Sequence, residues 1–123
     1  MDYQNLSKKE LGNLGESLAA DYLQRAGLKI VKQNYRCPKG EIDIVAREGD
    51  FLVFIEVRTR TSSFRGTAEE SVGYRKMQKL RNIASYYLLE KNYSHWPPLR
   101  FDVVAINISG GEAATNWIRN VGI

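Results

Sequence analysis

One cysteine, one histidine, three prolines and no long apolar run are all this 123-residue chain offers of those features, and each scarcity excludes a class of protein. Cys37 has no second cysteine with which to form an internal disulfide, a zinc site or a redox pair. His95 stands alone beside Pro97-Pro98, which excludes a histidine-based triad and a multi-histidine metal site and marks a loop. No apolar stretch approaches the roughly 20 residues of a membrane-spanning helix, so no membrane partner is expected. Met1-Asp2-Tyr3-Gln4-Asn5 has neither the basic start nor the apolar run of a signal peptide, and a reducing cytoplasm is the expected location. Glycine-rich loops for dinucleotides or nucleoside triphosphates are also missing.

A hydrophobic content of 43% supplies one packed core, so a single domain over residues 1–123 is expected. The formal charge of +4 is modest, but its placement is uneven. Arg58, Arg60, Arg65, Arg75, Lys76, Lys79 and Arg81 face only two acids in that stretch, Glu69 and Glu70, giving a local charge of +5. Such a surface suits a polyanion such as DNA or RNA; the alternative is a set of ordinary solvated helix residues.

From Ser7 to Ala26 the apolar residues Leu11, Leu14, Leu18, Tyr22 and Ala26 recur at helical spacing, with Ser7 and Glu10 as a capping box and Gly27 as the stop. Three strands follow, 28–35, 41–47 and 51–60, separated by Pro38-Lys39-Gly40 and Gly49-Asp50. A second helix begins between Thr67 and Tyr74, capped by Thr67 with Glu70 or delayed by Gly73, and ends near Lys91. Val72, Leu80, Ile83, Ala84, Tyr87 and Leu88 form its buried face. A strand over 100–108 and a short one over 116–119 complete an αβββαββ order, which calls for an α/β fold with a mixed sheet flanked by helices.

The hairpin around Gly49-Asp50 carries the chemistry. A two-residue turn pairs Glu48 with Phe51, sets Asp43 opposite Glu56, and sets Glu41 opposite Arg58. Directly opposed side chains stand about 4.5–5.5 Å apart at Cβ, where two like charges are destabilising unless a cation lies between them. The other hairpin face, Ile42, Ile44, Ala46, Phe51, Val53, Ile55 and Val57, is wholly apolar. Val45, Leu52 and Phe54 confine the charges to the end away from the turn. Carboxylate oxygens so placed are ligands for Mg²⁺ or Mn²⁺. The alternative is a surface hairpin with a Glu41–Arg58 salt bridge. Glu16 falls roughly 120° from the centre of the first helix's apolar stripe, at the edge of the buried face, where small Gly12, Ala19 and Ala20 permit close approach of another element.

Glu-Ile-Asp on one strand and Glu-Val-basic on the next resembles the PD-(D/E)XK nuclease core. Gly15-Glu16, Asn34-Tyr35-Arg36, Gly40-Glu41-Ile42-Asp43, Phe54-Ile55-Glu56-Val57-Arg58-Thr59-Arg60, Lys76, Lys79-Leu80 and Arg100-Phe101-Asp102-Val103-Val104 together resemble the YraN family of small bacterial proteins. That family is similar to archaeal Holliday-junction resolvases. The resemblance implies a restriction-endonuclease-like fold, a catalytic Glu16 on the first helix, and Asp43 and Glu56 as metal ligands. It also implies a homodimer acting on branched DNA. The motif's lysine position is Arg58 here. A guanidinium can stabilise phosphate charge but stays protonated and cannot act as a base, so activation of water falls to the divalent ion.

The function expected is therefore phosphodiester hydrolysis of nucleic acid, DNA rather than RNA. Glu16, Asp43 and Glu56 hold Mg²⁺ or Mn²⁺, Arg58 clamps phosphate, and Arg60, Arg65, Arg75, Lys76 and Lys79 extend the binding surface. Two alternatives stand beside it: a nucleic-acid-binding module of the same fold with little or no turnover, and a basic protein that docks an acidic partner. Asp102 is read as structural.

Overall fold

A computed structural model describes residues 6–61, 68–69 and 73–121. Thr67, Glu70 and Val72, assigned above to the start of the second helix, lie outside them, as does Arg65. The elements run α1 (Lys8–Arg25), β1 (Lys29–Cys37), β2 (Gly40–Glu48), β3 (Phe51–Arg60), α2 (Tyr74–Glu90), β4 (Leu99–Ser109) and β5 (Glu112–Ile118). This is the mixed α/β arrangement, in the order αβββαββ, that the sequence calls for. One five-stranded sheet has the spatial order β1-β2-β3-β4-β5, antiparallel except for the parallel β3–β4 pair. A parallel pair needs a long crossover, and α2 lies within it.

The helices cover opposite faces of the sheet. On the α1 side, Ala19 and Leu23 pack with Ile44, Val53, Ile55 and Val104. On the α2 side, Leu80, Ile83 and Leu88 pack with Val45, Leu52 and Phe54. Central β3 is thus buried on both faces from Leu52 to Val57, which explains its nearly unbroken apolar sequence.

Local signals place most element ends. Ser7 caps α1, its side chain accepting from the Glu10 N–H while Glu10 accepts from the Ser7 N–H. Gly27 continues the chain at a φ of +102°, a conformation with little cost for glycine alone. Gly73 is the N-cap of α2 and supplies no side-chain bond, so the later of the two expected starts is the observed one. The last strand is longer than expected, because β5 begins at Glu112 and pairs from Ser109–Glu112 to Val103–Ile118.

The buried face of α1 differs from the expected one. The buried residues are Gly15, Ala19, Ala20 and Leu23, whereas Tyr22 and Ala26 are exposed and Leu11 and Leu18 only half-buried. At 3.6 residues per turn this rotates the face by roughly 100° from the leucine stripe. Close approach decides it. A Cβ added to Gly15 would collide with the Thr59 hydroxyl of β3, so small side chains, not the largest apolar ones, meet the sheet. The rotation carries Glu16 from the edge to about 40° from the centre of the buried face.

A second difference lies in β2. Its ladder with β1 joins Gln33 to Ile44 and Tyr35 to Ile42, and between them Asn34 has a left-handed φ of +54°. Ile44 belongs to the α1-side core and Ile42 to the α2-side core, so the alternation slips at Asp43. The uninterrupted apolar face expected from Ile42 to Val57 therefore loses Ile42 to the other side.

Candidate metal centre

The expected register holds from Glu48–Phe51 to Ile44–Ile55 and its ladder ends there. Asp43 is consequently not a cross-strand partner of Glu56. Its Oδ2 instead accepts the Val57 N–H at 2.8 Å, taking the place a backbone carbonyl would have in a continued ladder. Glu41 likewise does not oppose Arg58: it pairs with Arg36 of β1, Nε to Oε2 3.2 Å, where β1 and β2 remain joined. Arg58 lies on the strand of Glu56, with its Nε 3.6 Å from Glu56 Oε1. That Nε is buried and has no hydrogen-bond partner among the described residues.

Where β2 and β3 part, a cavity of about 510 Å³ opens, lined by Glu16, Asp43, Glu56, Arg58, Arg60 and Lys76 among others. The α1 rotation brings Glu16 within hydrogen-bonding reach of Asp43. Glu56 is only 5% exposed, and Lys76 of α2 places its Nζ 3.4 Å from Glu56 Oε1. As the side chains stand, no group of three or more His, Cys, Asp or Glu is arranged to hold a metal ion among the described residues. Glu16 and Asp43 face each other, while Glu56 is turned onto its two basic neighbours.

Electrostatics follow from that crowding. Burial, reinforced by the charge of Asp43, pushes Glu16 up to about 7. Burial and then Asp43 push Glu56 up to about 7 as well, against the opposing pull of Lys76 and Arg58. Burial also raises Asp43, though the Val57 N–H and the charge of Lys76 act to lower it. The donor chemistry is that of a hard divalent cation: three carboxylates whose ionisation is opposed first by burial and then by neighbouring carboxylates, which a bound cation would offset.

Protonation of these acids is linked to stability. The folded chain binds their protons more tightly than the unfolded chain, where a glutamate titrates near 4.5. That contribution is full below the unfolded value and is lost as pH rises through about 7. In EDTA, the midpoint of thermal unfolding is therefore expected to fall by a few degrees between about pH 5.5 and about pH 8, and to change less in Glu56→Gln. A melting series flat across that range in wild-type protein would contradict the raised pKa values.

The basic residues divide. Arg58, Arg60 and Lys76 line the cavity with the acids. Lys76 and Lys79 also line an adjoining cavity with Arg36. Arg75 is exposed, one residue before Lys76. Lys8 and Arg36 were not singled out from sequence. For Lys8 a signal exists: Lys8, Gly12 and Glu16 are spaced by four, so all three share one side of α1, and all line the cavity. For Arg36 only its place opposite Glu41 in the β1–β2 register gives the link.

Residues 15–106 match the family described as "Uncharacterised protein family UPF0102". Curated relatives are similar over most of their length. A UPF0102 protein of Desulfitobacterium hafniense (strain Y51) is 46% identical over 117 residues, covering 93% of this chain and 97% of the relative. One from Thermodesulfovibrio yellowstonii is 51% identical over 104 residues, covering 83% and 89%. One from Legionella pneumophila (strain Corby) is 41% identical over 112 residues, covering 91% and 93%.

Proposed function

The chain belongs to the UPF0102 family, the YraN family its motifs resemble, and we propose that it is a metal-dependent nuclease acting on nucleic acid by phosphodiester hydrolysis. Glu16, Asp43 and Glu56 hold Mg²⁺ or Mn²⁺ in this reading. The observation that carries it is the meeting of three acids from three elements in one cavity, beside a buried guanidinium nitrogen with no hydrogen-bond acceptor among the described residues. Carboxylates raised to about 7 by burial and by one another's charge call for a cation, and the Arg58 Nε–H, which at 3.6 Å from Glu56 Oε1 is beyond hydrogen-bond length, calls for an anion. A phosphodiester on a divalent ion satisfies both.

When bound, the ion supplies Lewis-acid chemistry, lowering the pKa of the attacking water and taking up charge on phosphate. The protein's own side chains position and stabilise. Asp43 is fixed by the Val57 N–H, so one carboxylate oxygen is directed by the β3 backbone. Arg58 donates to phosphate oxygens as their charge grows but accepts no proton. Arg60 at the cavity mouth, with Lys79 and Arg75 along α2, engages the flanking backbone electrostatically. DNA is the preferred substrate class, and the resolvase likeness extends the reading to a homodimer on branched molecules, measurable by sedimentation with and without a junction.

The test is purified protein on junction, flap, single-stranded and duplex substrates with Mg²⁺ or Mn²⁺. Cleavage that requires metal and intact Asp43 is expected; indifference to both on every substrate would remove the nuclease reading. Arg58 favours a second reading, a nucleic-acid-binding module with weak turnover, because arginine stands where the related motif has lysine. Arg58→Lys separates them. An increase in cleavage rate on the order of tenfold or more means that arginine restrains turnover in the native protein; an unchanged or lower rate keeps arginine as a competent clamp.

A further inference from the structure

Lys76 is the third residue of α2, and its position makes little sense for the helix alone. A helix N-terminus carries partial positive charge, which disfavours a cation in the first turn, and that turn of α2 contains no acidic residue. What compensates Lys76 is across the cavity, the Glu56 carboxylate at 3.4 Å, in surroundings where Glu56 is almost wholly buried. Arg58 approaches the same oxygen at 3.6 Å. The acid that would complete a three-carboxylate site is thus held by two basic side chains, and among the described residues no three-acid metal group is formed.

Resting on the metal-site reading above, we propose that the Lys76 ammonium is a built-in counter-ion, holding Glu56 in place of a divalent cation and competing with that cation for the carboxylate. The arrangement has a physical rationale. Without positive charge, Glu16, Asp43 and Glu56 would repel one another in a cavity walled by packed sheet and helix, and the metal-free fold would bear that repulsion. A flexible lysine supplies the charge from within the chain and can withdraw, because it reaches Glu56 from α2, a different element, whereas Arg58 is anchored on the same strand as its acid. Metal entry is then an exchange of one cation for another at Glu56, so that affinity for the ion is set partly by the lysine.

Exchange makes opposite predictions for metal-free and metal-bound protein. In Lys76→Met, Mn²⁺ measured by calorimetry at fixed pH is expected to bind on the order of tenfold more tightly than in wild type, as removal of a unit charge a few ångströms away implies. The same variant melts lower in EDTA and gains more from saturating Mn²⁺. Lys76→Arg, which keeps the charge, stays close to wild type on both measures. Lys76→Gln gives the same comparison should Lys76→Met fold poorly. Equal or weaker Mn²⁺ binding by the neutral variants overturns the counter-ion proposal. Asp43→Asn distinguishes which idea has failed. If it binds Mn²⁺ as wild type does, the ion is not at these acids and both ideas fall; if it loses Mn²⁺ while Lys76→Met is unchanged, only the counter-ion role is lost.

Discussion

Asp43→Asn is expected to abolish metal-dependent cleavage while leaving a folded protein. The amide oxygen can still accept the Val57 N–H that the carboxylate accepts at 2.8 Å, so the β2–β3 junction keeps its tie. What disappears is a negative charge facing Glu16 and Glu56. In the metal-free state that loss relieves repulsion, so melting in EDTA should be unchanged or slightly higher. With Mn²⁺ present the outcome reverses, since a divalent ion contributes several kcal/mol of transition-state stabilisation and loses an essential ligand. A fall in cleavage rate of at least about 10²–10³-fold follows. Asp43→Ala should lose activity equally but also leave the Val57 N–H without its acceptor, at a cost of about 1–3 kcal/mol. Comparing the two by cleavage kinetics and denaturant unfolding separates the charge from the hydrogen bond. An Asn variant as active as wild type would show that Asp43 holds no ion.

The largest loss of stability is expected at a different acid. Asp102 is fully buried on β4, and it accepts from Arg100 Nε at 3.0 Å, Trp117 Nε1 at 2.9 Å and the Asn120 N–H at 2.9 Å. Arg100, itself only 11% exposed, pairs onward with Glu48 at 2.7 Å, so one buried ion pair joins β4 and β5 to the β2–β3 turn. Alternation along β4 puts Asp102 on the face of Val104 and Ile106, which is covered by α1, away from the face that carries Glu56. Asp102→Ala leaves the buried Arg100 guanidinium with Glu48 and the Phe51 ring, and leaves Trp117 Nε1 and the Asn120 N–H without that acceptor. Removal of one member of such a pair costs about 3–5 kcal/mol. Against a total of about 5–15 kcal/mol this is a large fraction, and a fall in melting temperature on the order of 10–20 °C is expected. Chemical denaturation should show a lower midpoint at similar slope, with metal affinity of the folded fraction retained. A loss below about 1 kcal/mol would mean that the network contributes little beyond packing.

These two acids also show how far a sequence can be read. Patterns decided within a few residues were legible: the Ser7–Glu10 capping box, the extent of β3, the two-residue turn that pairs Glu48 with Phe51, and the α2 face of Leu80, Ile83, Ala84, Tyr87 and Leu88. Periodicity and turn chemistry act locally, so the order αβββαββ needed no coordinates, whereas the grouping of Glu16 with Asp43 and Glu56 is what the family resemblance implies. The helix face was less legible, because hydrophobicity predicts which residues are buried only when the approaching surface can accommodate them. Against β3 the limiting quantity was distance, and Gly15 and Ala19 prevailed over Leu14 and Tyr22.

Sequence by itself determined the elements, their order, the hairpin register near its turn, and which acids and bases lie at the strand ends far from that turn. Tertiary structure alone decided the rotation of α1 that brings Glu16 to Asp43, the slip at Asp43 opposite left-handed Asn34, the pairing of Glu41 with Arg36, and the contact of Lys76 with Glu56. The reason is range. Backbone preference and amphipathic spacing are fixed by neighbours in the chain, whereas the direction of a carboxylate depends on charges and packing surfaces brought to it from elements that sequence spacing does not relate.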